Sequence, residues 1–175
     1  VIIKEGTTVI GGEAFKESCA MQIALPDSVT EIQDYAFYNM KNLKRVVLNS
    51  NLKKVGDSAF EGCVSLYSVE FPGLVNTIGS HCFDGCVRLQ SVILPNWITK
   101  IEPYTFYGCS SLRNIVVPKL VNTIGEYAFS SCQSLENIFI WRTVTTLGAN
   151  WLGAYYPNVT IHTLSGSKAY QYAAE

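Results

Sequence analysis

Apolar and small residues return along this chain on a fixed step. Phe stands at 15, 37, 60, 83, 106 and 129, one interval of 22 and then four of 23, and a further 23 reaches Leu152. The residue before each Phe is small (Ala14, Ala36, Ala59, Cys82, Thr105, Ala128), and five before it runs the aliphatic column Ile10, Ile32, Val55, Ile78, Ile101, Ile124, Leu147. The next position along is Gly11, Gln33, Gly56, Gly79, Glu102, Gly125 or Gly148. Three residues beyond Phe come Met40, Cys63, Cys86, Cys109 and Cys132, and six beyond come Met21, Leu43, Leu66, Leu89, Leu112 and Leu135. Val46, Val69, Val92, Ile115 and Ile138 follow, then Leu48, Phe71, Leu94, Val117 and Ile140. Pro26, Pro72, Pro95 and Pro118 close the unit, with Asn49 and Trp141 in that place elsewhere.

One such unit cannot bury its columns alone, but stacked units bury Phe on Phe and Leu on Leu, which is the arrangement of a solenoid. The spacing Leu-x-x-Val-x-Leu predicts a turn and then a short strand with inward side chains two apart, so Val46 and Leu48 face the core and Val47 faces out. Pro lacks an N–H and sits where that strand ends. Val75, Ile78 and Gly79 mark a second short extended piece, and Tyr127 to Cys132 suits a 3-10 or single helical turn. About seven coils of 22–23 residues, paired through parallel strands at roughly 4.8 Å, give a body about 30 Å long.

The columns carry a resemblance. Leu25-Pro26-Asp27-Ser28-Val29-Thr30-Glu31-Ile32 with Ala36-Phe37, repeated along residues 1–156, resembles the BspA-type leucine-rich repeat. The resemblance implies a right-handed leucine-rich repeat solenoid of the α/β horseshoe class, with short parallel β-strands. Thr160-Ile161-His162 and then Gly166-Ser167-Lys168-Ala169-Tyr170-Gln171-Tyr172-Ala173 is similar to the strand and segment that close these arrays, so 157–175 reads as a C-terminal cap and the whole as one continuous domain. The family implies an extracellular or cell-surface protein of a bacterium or protist, used for adhesion and binding. Val1-Ile2-Ile3-Lys4-Glu5-Gly6 begins inside a repeat, which leads to the expectation of a longer parent protein.

Composition narrows the function classes. Apolar residues make up 48% and charged residues 15% of the 175, against about 25% charged in a typical soluble chain, a balance that argues against disorder. Lys plus Arg number 13 and Asp plus Glu 14, a net charge of −1. No basic excess exists to neutralise phosphates, so nucleic acid is disfavoured as a partner. No apolar run reaches about 18 residues, so the sequence predicts no membrane insertion, and Val1–Gly12 does not read as a signal peptide.

Six cysteines invite a disulfide reading. Four share one column, however, and stacked coils would give neighbours parallel Cα–Cβ vectors, so they read as a ladder of small buried thiols. Cys82 takes the small-residue column, and Cys19 lies one place off the thiol column in an irregular first coil. His81, Cys82 and Cys86 resemble a metal set only superficially: His81 shares a variable, solvent-facing column with Glu13, Tyr35, Ser58, Tyr104 and Tyr127. Ser165-x-x-Lys168 matches a short hydrolase motif without companions, and the chain has His only at 81 and 162. The expectation is no enzymatic activity, no metal and no cofactor. Asn158-Val159-Thr160 is a glycosylation sequon, meaningful only in a eukaryotic secretory host.

Specificity in a solenoid belongs to the columns that vary. Lys44, Tyr67, Gln90, Arg113 and Glu136 form one polar outward column, with Arg45, Ser68, Ser91, Asn114 and Asn137 beside it. Val47, Glu70, Ile93, Val116 and Phe139 form another at the strand centre, apolar apart from Glu70 and extended by Trp141. Strand propensity explains Val47 and Val116 as well as binding does, whereas Phe139 and Trp141 point more towards an interface. Two places after Pro, Leu74, Trp97 and Leu120 replace the family's usual Ser, and the pattern leaves open whether they face in or out. A third set, Tyr35, Tyr104 and Tyr127 with Tyr38 and Tyr107, suits stacking on sugars. The favoured function is a binding module that meets a protein or glycan of a host or neighbouring cell through Ile93, Val116, Phe139, Trp141, Leu74, Trp97 and Leu120. The alternative is a structural spacer or display stalk within a larger surface protein.

Overall fold

The computed structural model describes residues 2–153 and 159–173, so the 156/157 domain boundary and Asn158 of the sequon lie outside the described residues. The chain is a parallel-strand solenoid of about six turns. Two kinds of strand alternate. Two-residue strands, β1 (Val9–Ile10), β3 (Glu31–Ile32), β5 (Lys54–Val55), β7 (Thr77–Ile78), β9 (Lys100–Ile101), β11 (Thr123–Ile124) and β13 (Thr146–Leu147), stack on one side. Three-residue strands, β2 (Gln22–Ala24), β4 (Arg45–Val47), β6 (Ser68–Glu70), β8 (Ser91–Ile93), β10 (Asn114–Val116), β12 (Asn137–Phe139) and β14 (Thr160–His162), stack on another. Register follows the repeat, as in Ile115↔Ile138 and Ile124↔Ile101. In β4, β6, β8 and β10 the middle residue is buried and its neighbours are exposed, so the outward apolar column stands last in each strand rather than at its centre.

The core is the predicted set of columns, except that Met21 of the Leu column is exposed in the irregular first coil and Phe15, Leu48 and Leu147 are only partly buried. Phe37, Phe60, Phe83, Phe106 and Phe129 are wholly buried, and their rings stack near-parallel at 5.0 to 5.6 Å between centroids. Leu152 is buried in the next place, and the ring of Trp151, one residue earlier, meets Phe129 edge-on at 6.3 Å. The helix α1 (Lys168–Ala173) covers this end: Tyr172 packs on Trp151 at 5.2 Å, and Ala169 is buried. Ser167 caps α1, its hydroxyl accepting from the Tyr170 N–H at 3.0 Å. That role accounts for the end of the Ser-x-x-Lys stretch, whose Ser165 and Lys168 are exposed.

The turn around each Phe keeps the i→i+3 bonds expected of a tight turn, for example Ser130 N–H to Tyr127 O at 3.1 Å. Two residues in each are left-handed, however, such as Tyr104 (φ 56°) and Gly108 (φ 68°). They turn alternate N–H groups sideways out of the coil. Tyr104, Phe106 and Gly108 donate to the carbonyls of Glu126, Ala128 and Ser130 in the next coil at 2.9–3.0 Å. The same triplet recurs from coil to coil and always runs from the earlier coil to the later one. These bonds form a third ladder along the molecule.

Both strand ladders are interrupted at one level. Among the described residues, β7 is not paired with β9, nor β8 with β10, although the turn ladder continues through His81 to Pro103, Phe83 to Thr105 and Gly85 to Tyr107. The glycine column explains this seam. A Cβ built on Gly79 would lie 2.5 Å from Asp57 N and Gly56 C, and one on Gly56 would lie 2.7 Å from Asp34 N. The coils approach so closely that the column has no room for a side chain. Glu102 stands in that column at the seam, and the following Pro103 has no N–H to match the bond from Asp57 N–H to Asp34 Oδ1 or from Ser80 N–H to Asp57 Oδ1. Gln33 also interrupts the column, but its Oε1 accepts from Gly12 N–H at 3.0 Å and the pairing survives.

Candidate functional site: an aromatic groove at the strand corner

Leu74, Trp97 and Leu120 all face outward, which the sequence had left open. With Ile93, Val116, Phe139 and Trp141 they are exposed, from 39% for Trp141 to 61% for Trp97. The cause is local. The turn between a three-residue strand and the next two-residue strand buries its Pro (Pro95, Pro118) and its later aliphatic residue (Ile98, Val121), so the two residues between them project to solvent.

Four of the seven line one feature. Trp97, Val116, Leu120 and Trp141, from three successive coils, surround an open groove of about 490 Å3, joined by Asn96 and Pro118. Lys119 completes it, with Nζ 4.9 Å above the Trp141 ring, a cation–π contact that covers one ring face. Leu74, one coil earlier, and Ile93, on the Trp97 coil, are not among the residues that line this groove. Phe139 is engaged by the cap: its ring stacks on His162 at 4.1 Å, and His162 Nε2 is held 2.8 Å from Asn137 Oδ1. Lys119 and Asn96 did not stand out in the sequence. The signal was present in Pro118-Lys119-Leu120 one coil before Trp141, but a lysine in a turn ordinarily reads as a solvated charge.

Other expectations need adjustment. His81 is half-buried rather than simply solvent-facing, because its ring stacks on Tyr104 at 4.6 Å and Nδ1 lies 2.9 Å from Asp84 Oδ2. Tyr104 stacks in turn on Tyr127 at 5.0 Å. His81, Tyr104 and Tyr127 thus cover one another's inner ring faces, whereas Tyr35 is exposed and meets Tyr38 edge-on at 5.6 Å. Cys63, Cys82, Cys86, Cys109 and Cys132 are buried, and Cys19 is exposed. Sγ of Cys63, Cys86, Cys109 and Cys132 donates to the carbonyl of Phe37, Phe60, Phe83 and Phe106 respectively, at 3.1–3.2 Å. Burial pushes these thiols up, Cys63 and Cys132 to about 12, and Cys82, Cys86 and Cys109 well above the ordinary value. A thiol that keeps its proton is neither a nucleophile nor a metal ligand.

The stacked parallel strands, the repeated Phe and Cys columns and the strand-and-helix closure define a leucine-rich repeat solenoid. The chain belongs to the family described as BspA type leucine rich repeat region, whose pattern matches in six copies over residues 1–73 and 30–161. No curated protein matches. Among solved structures, the T. pallidum leucine rich repeat protein is similar at 25% identity and a TM-score of 0.76, over 84% of this chain and 72% of that one. A leucine rich cell surface protein of Faecalibacterium prausnitzii shares the fold at 24% identity and a TM-score of 0.58, over 98% of this chain and 61% of that one. Pneumococcal vaccine antigen PcpA shares it at 20% identity and a TM-score of 0.54, over 91% of this chain and 36% of that one.

Proposed function

We propose that this chain is a non-enzymatic binding module of an extracellular or cell-surface protein, recognising a protein or glycan partner through the strand face and its adjoining corner. The family match supports an interaction or surface module, and the F. prausnitzii protein that shares the fold is named a cell surface protein. The observation that carries the reading is the run of outward apolar side chains, Ile93, Val116 and Trp97 to Trp141, on a scaffold whose core columns are otherwise closed. Exposed apolar surface gathered in one region of a rigid body is characteristic of an interface. Among the described residues no helix is long and apolar enough to cross a membrane.

The test uses fluorescently labelled chain titrated onto bacterial and epithelial cells. Saturable binding is expected, and Ile93→Ser, Val116→Ser and Phe139→Ser together should weaken it by about tenfold or more, with the melting temperature lowered only by the loss of the Phe139–His162 stacking, which Phe139→Ser alone measures. Unchanged binding by the triple variant overturns this surface. An absence of saturable binding by the parent chain leaves the spacer function.

A further inference from the structure

We infer that the groove between Trp97, Leu120 and Trp141 takes a peptide segment combining apolar side chains with carboxylates; this rests on the binding-module reading above. The groove supplies the apolar half of that chemistry. Its volume suits one or two large side chains, and its walls are two indoles, Leu120, Val116 and Pro118.

The charge around it supplies the other half. The whole molecule is almost neutral, yet the corner turns and following strand residues at 72–77, 95–100, 118–123 and 141–146 carry Lys100, Lys119 and Arg142 and no carboxylate. The same corner in the earlier coils differs, with Asp27 and Glu31 in one and Lys53 and Lys54 in the next. Lys119 and Arg142 are both exposed beside Trp141. On the adjoining strand face Glu136 is already held by Arg113 at 2.9 Å, so it leaves the corner's cations uncompensated. An acidic partner would be steered to this corner and a basic one repelled.

A glycan fits the same groove poorly. Sugar recognition uses free aromatic faces together with convergent hydroxyl-binding groups. Here one face of Trp141 is taken by Lys119, and among the described residues Asn96 is the only side-chain amide on the wall and no carboxylate lines it.

The test uses the full chain and three labelled octapeptides. One alternates Asp with Leu and Phe, the second has Lys for every Asp, and the third has Ser for every Leu and Phe. Neutral and acidic oligosaccharides form a fourth arm. Binding is read from the indole N–H resonances. Trp97 and Trp141 report on the groove, and the buried Trp151 serves as an internal control. The expected result is that the acidic apolar peptide shifts Trp97 and Trp141 but not Trp151. Its affinity should exceed that of either counterpart by about tenfold or more. Lys119→Glu with Arg142→Glu should transfer the preference to the Lys peptide. Three results overturn the inference: shifts produced by oligosaccharide alone, equal affinity for all three peptides, or no shift with any probe. If cell binding is nevertheless lost in the Ile93, Val116 and Phe139 variant, the binding-module reading stands and only the groove assignment fails.

Discussion

Gly79 and Gly11 occupy the same column yet face opposite constraints. At Gly79 an added methyl meets the backbone of the preceding coil, whereas at Gly11 the nearest atom is the side-chain oxygen of Gln33 at 4.0 Å. Gly79→Ala should therefore lower stability by about 1–3 kcal/mol, the range for overpacking, and Gly11→Ala should leave it within about 0.5 kcal/mol in urea melts. Equal costs would show that the coils are free to separate at Gly79. The thiols give a second test at this scale. Cys63 and Cys132 titrate at about 12 when folded, against an ordinary value near 9.0, and the other three buried thiols are also raised. Above pH 9 the unfolded chain releases protons that the folded chain retains, so the thiol contribution to stability is complete below that pH and declines as pH rises. Each thiol can steepen the fall by at most about 1.4 kcal/mol per pH unit, a limit approached as the unfolded thiol becomes fully ionised. Urea melts should show unfolding free energy dropping between pH 9 and 10, with a shallower slope in Cys63→Ala. A slope unchanged by that substitution would remove the thiols as its cause. The inward thiol column was legible in the sequence because the step of 23 fixed it. The outward direction of Trp97 was not, because a corner between two extended pieces obeys neither the two-residue nor the 3.6-residue period.

At the scale of elements, strand positions and core faces were legible because each column repeats six or seven times. The turn ladder was not. Its left-handed positions are filled by Tyr35, His81, Tyr104 and Tyr127 as well as by Gly62, Gly85 and Gly108, and a side chain at positive φ gives no sequence signal of its own. The seam was half visible: Glu102-Pro103 is a plain departure from the glycine column, but its effect on both strand ladders depends on how closely the coils approach. The seam makes a prediction for amide exchange. Asn122 and Gly125 donate to Thr99 and Ile101 of the preceding coil, whereas the corresponding N–H groups of Thr99 and Glu102 have no such backbone partner among the described residues. Thr99 and Glu102 should exchange about tenfold or more faster than Asn122 and Gly125, since local opening sets exchange in a folded chain. Equal protection would mean that the strands close across the seam in solution.

At the scale of the whole molecule, a net charge of −1 conceals an uneven distribution. The corner beside Trp141 is cationic, while the Phe-turn side carries Asp57, Asp84, Glu102 and Glu126. Composition alone could not show this, because assigning charges to sides requires the coil. The turn ladder adds a further asymmetry. Parallel sheets nearly cancel their peptide dipoles, but the ladder's N–H groups all point towards the later coils and its carbonyls towards the earlier ones. Its peptide dipoles add from coil to coil, as they do in a helix but with the opposite sense along the chain, so the positive pole lies at the C-terminal end. Two copies that met through this ladder would have to join acceptor edge to donor edge. Such a contact is heterologous and propagates as a fibre or ring, and it excludes a two-fold dimer.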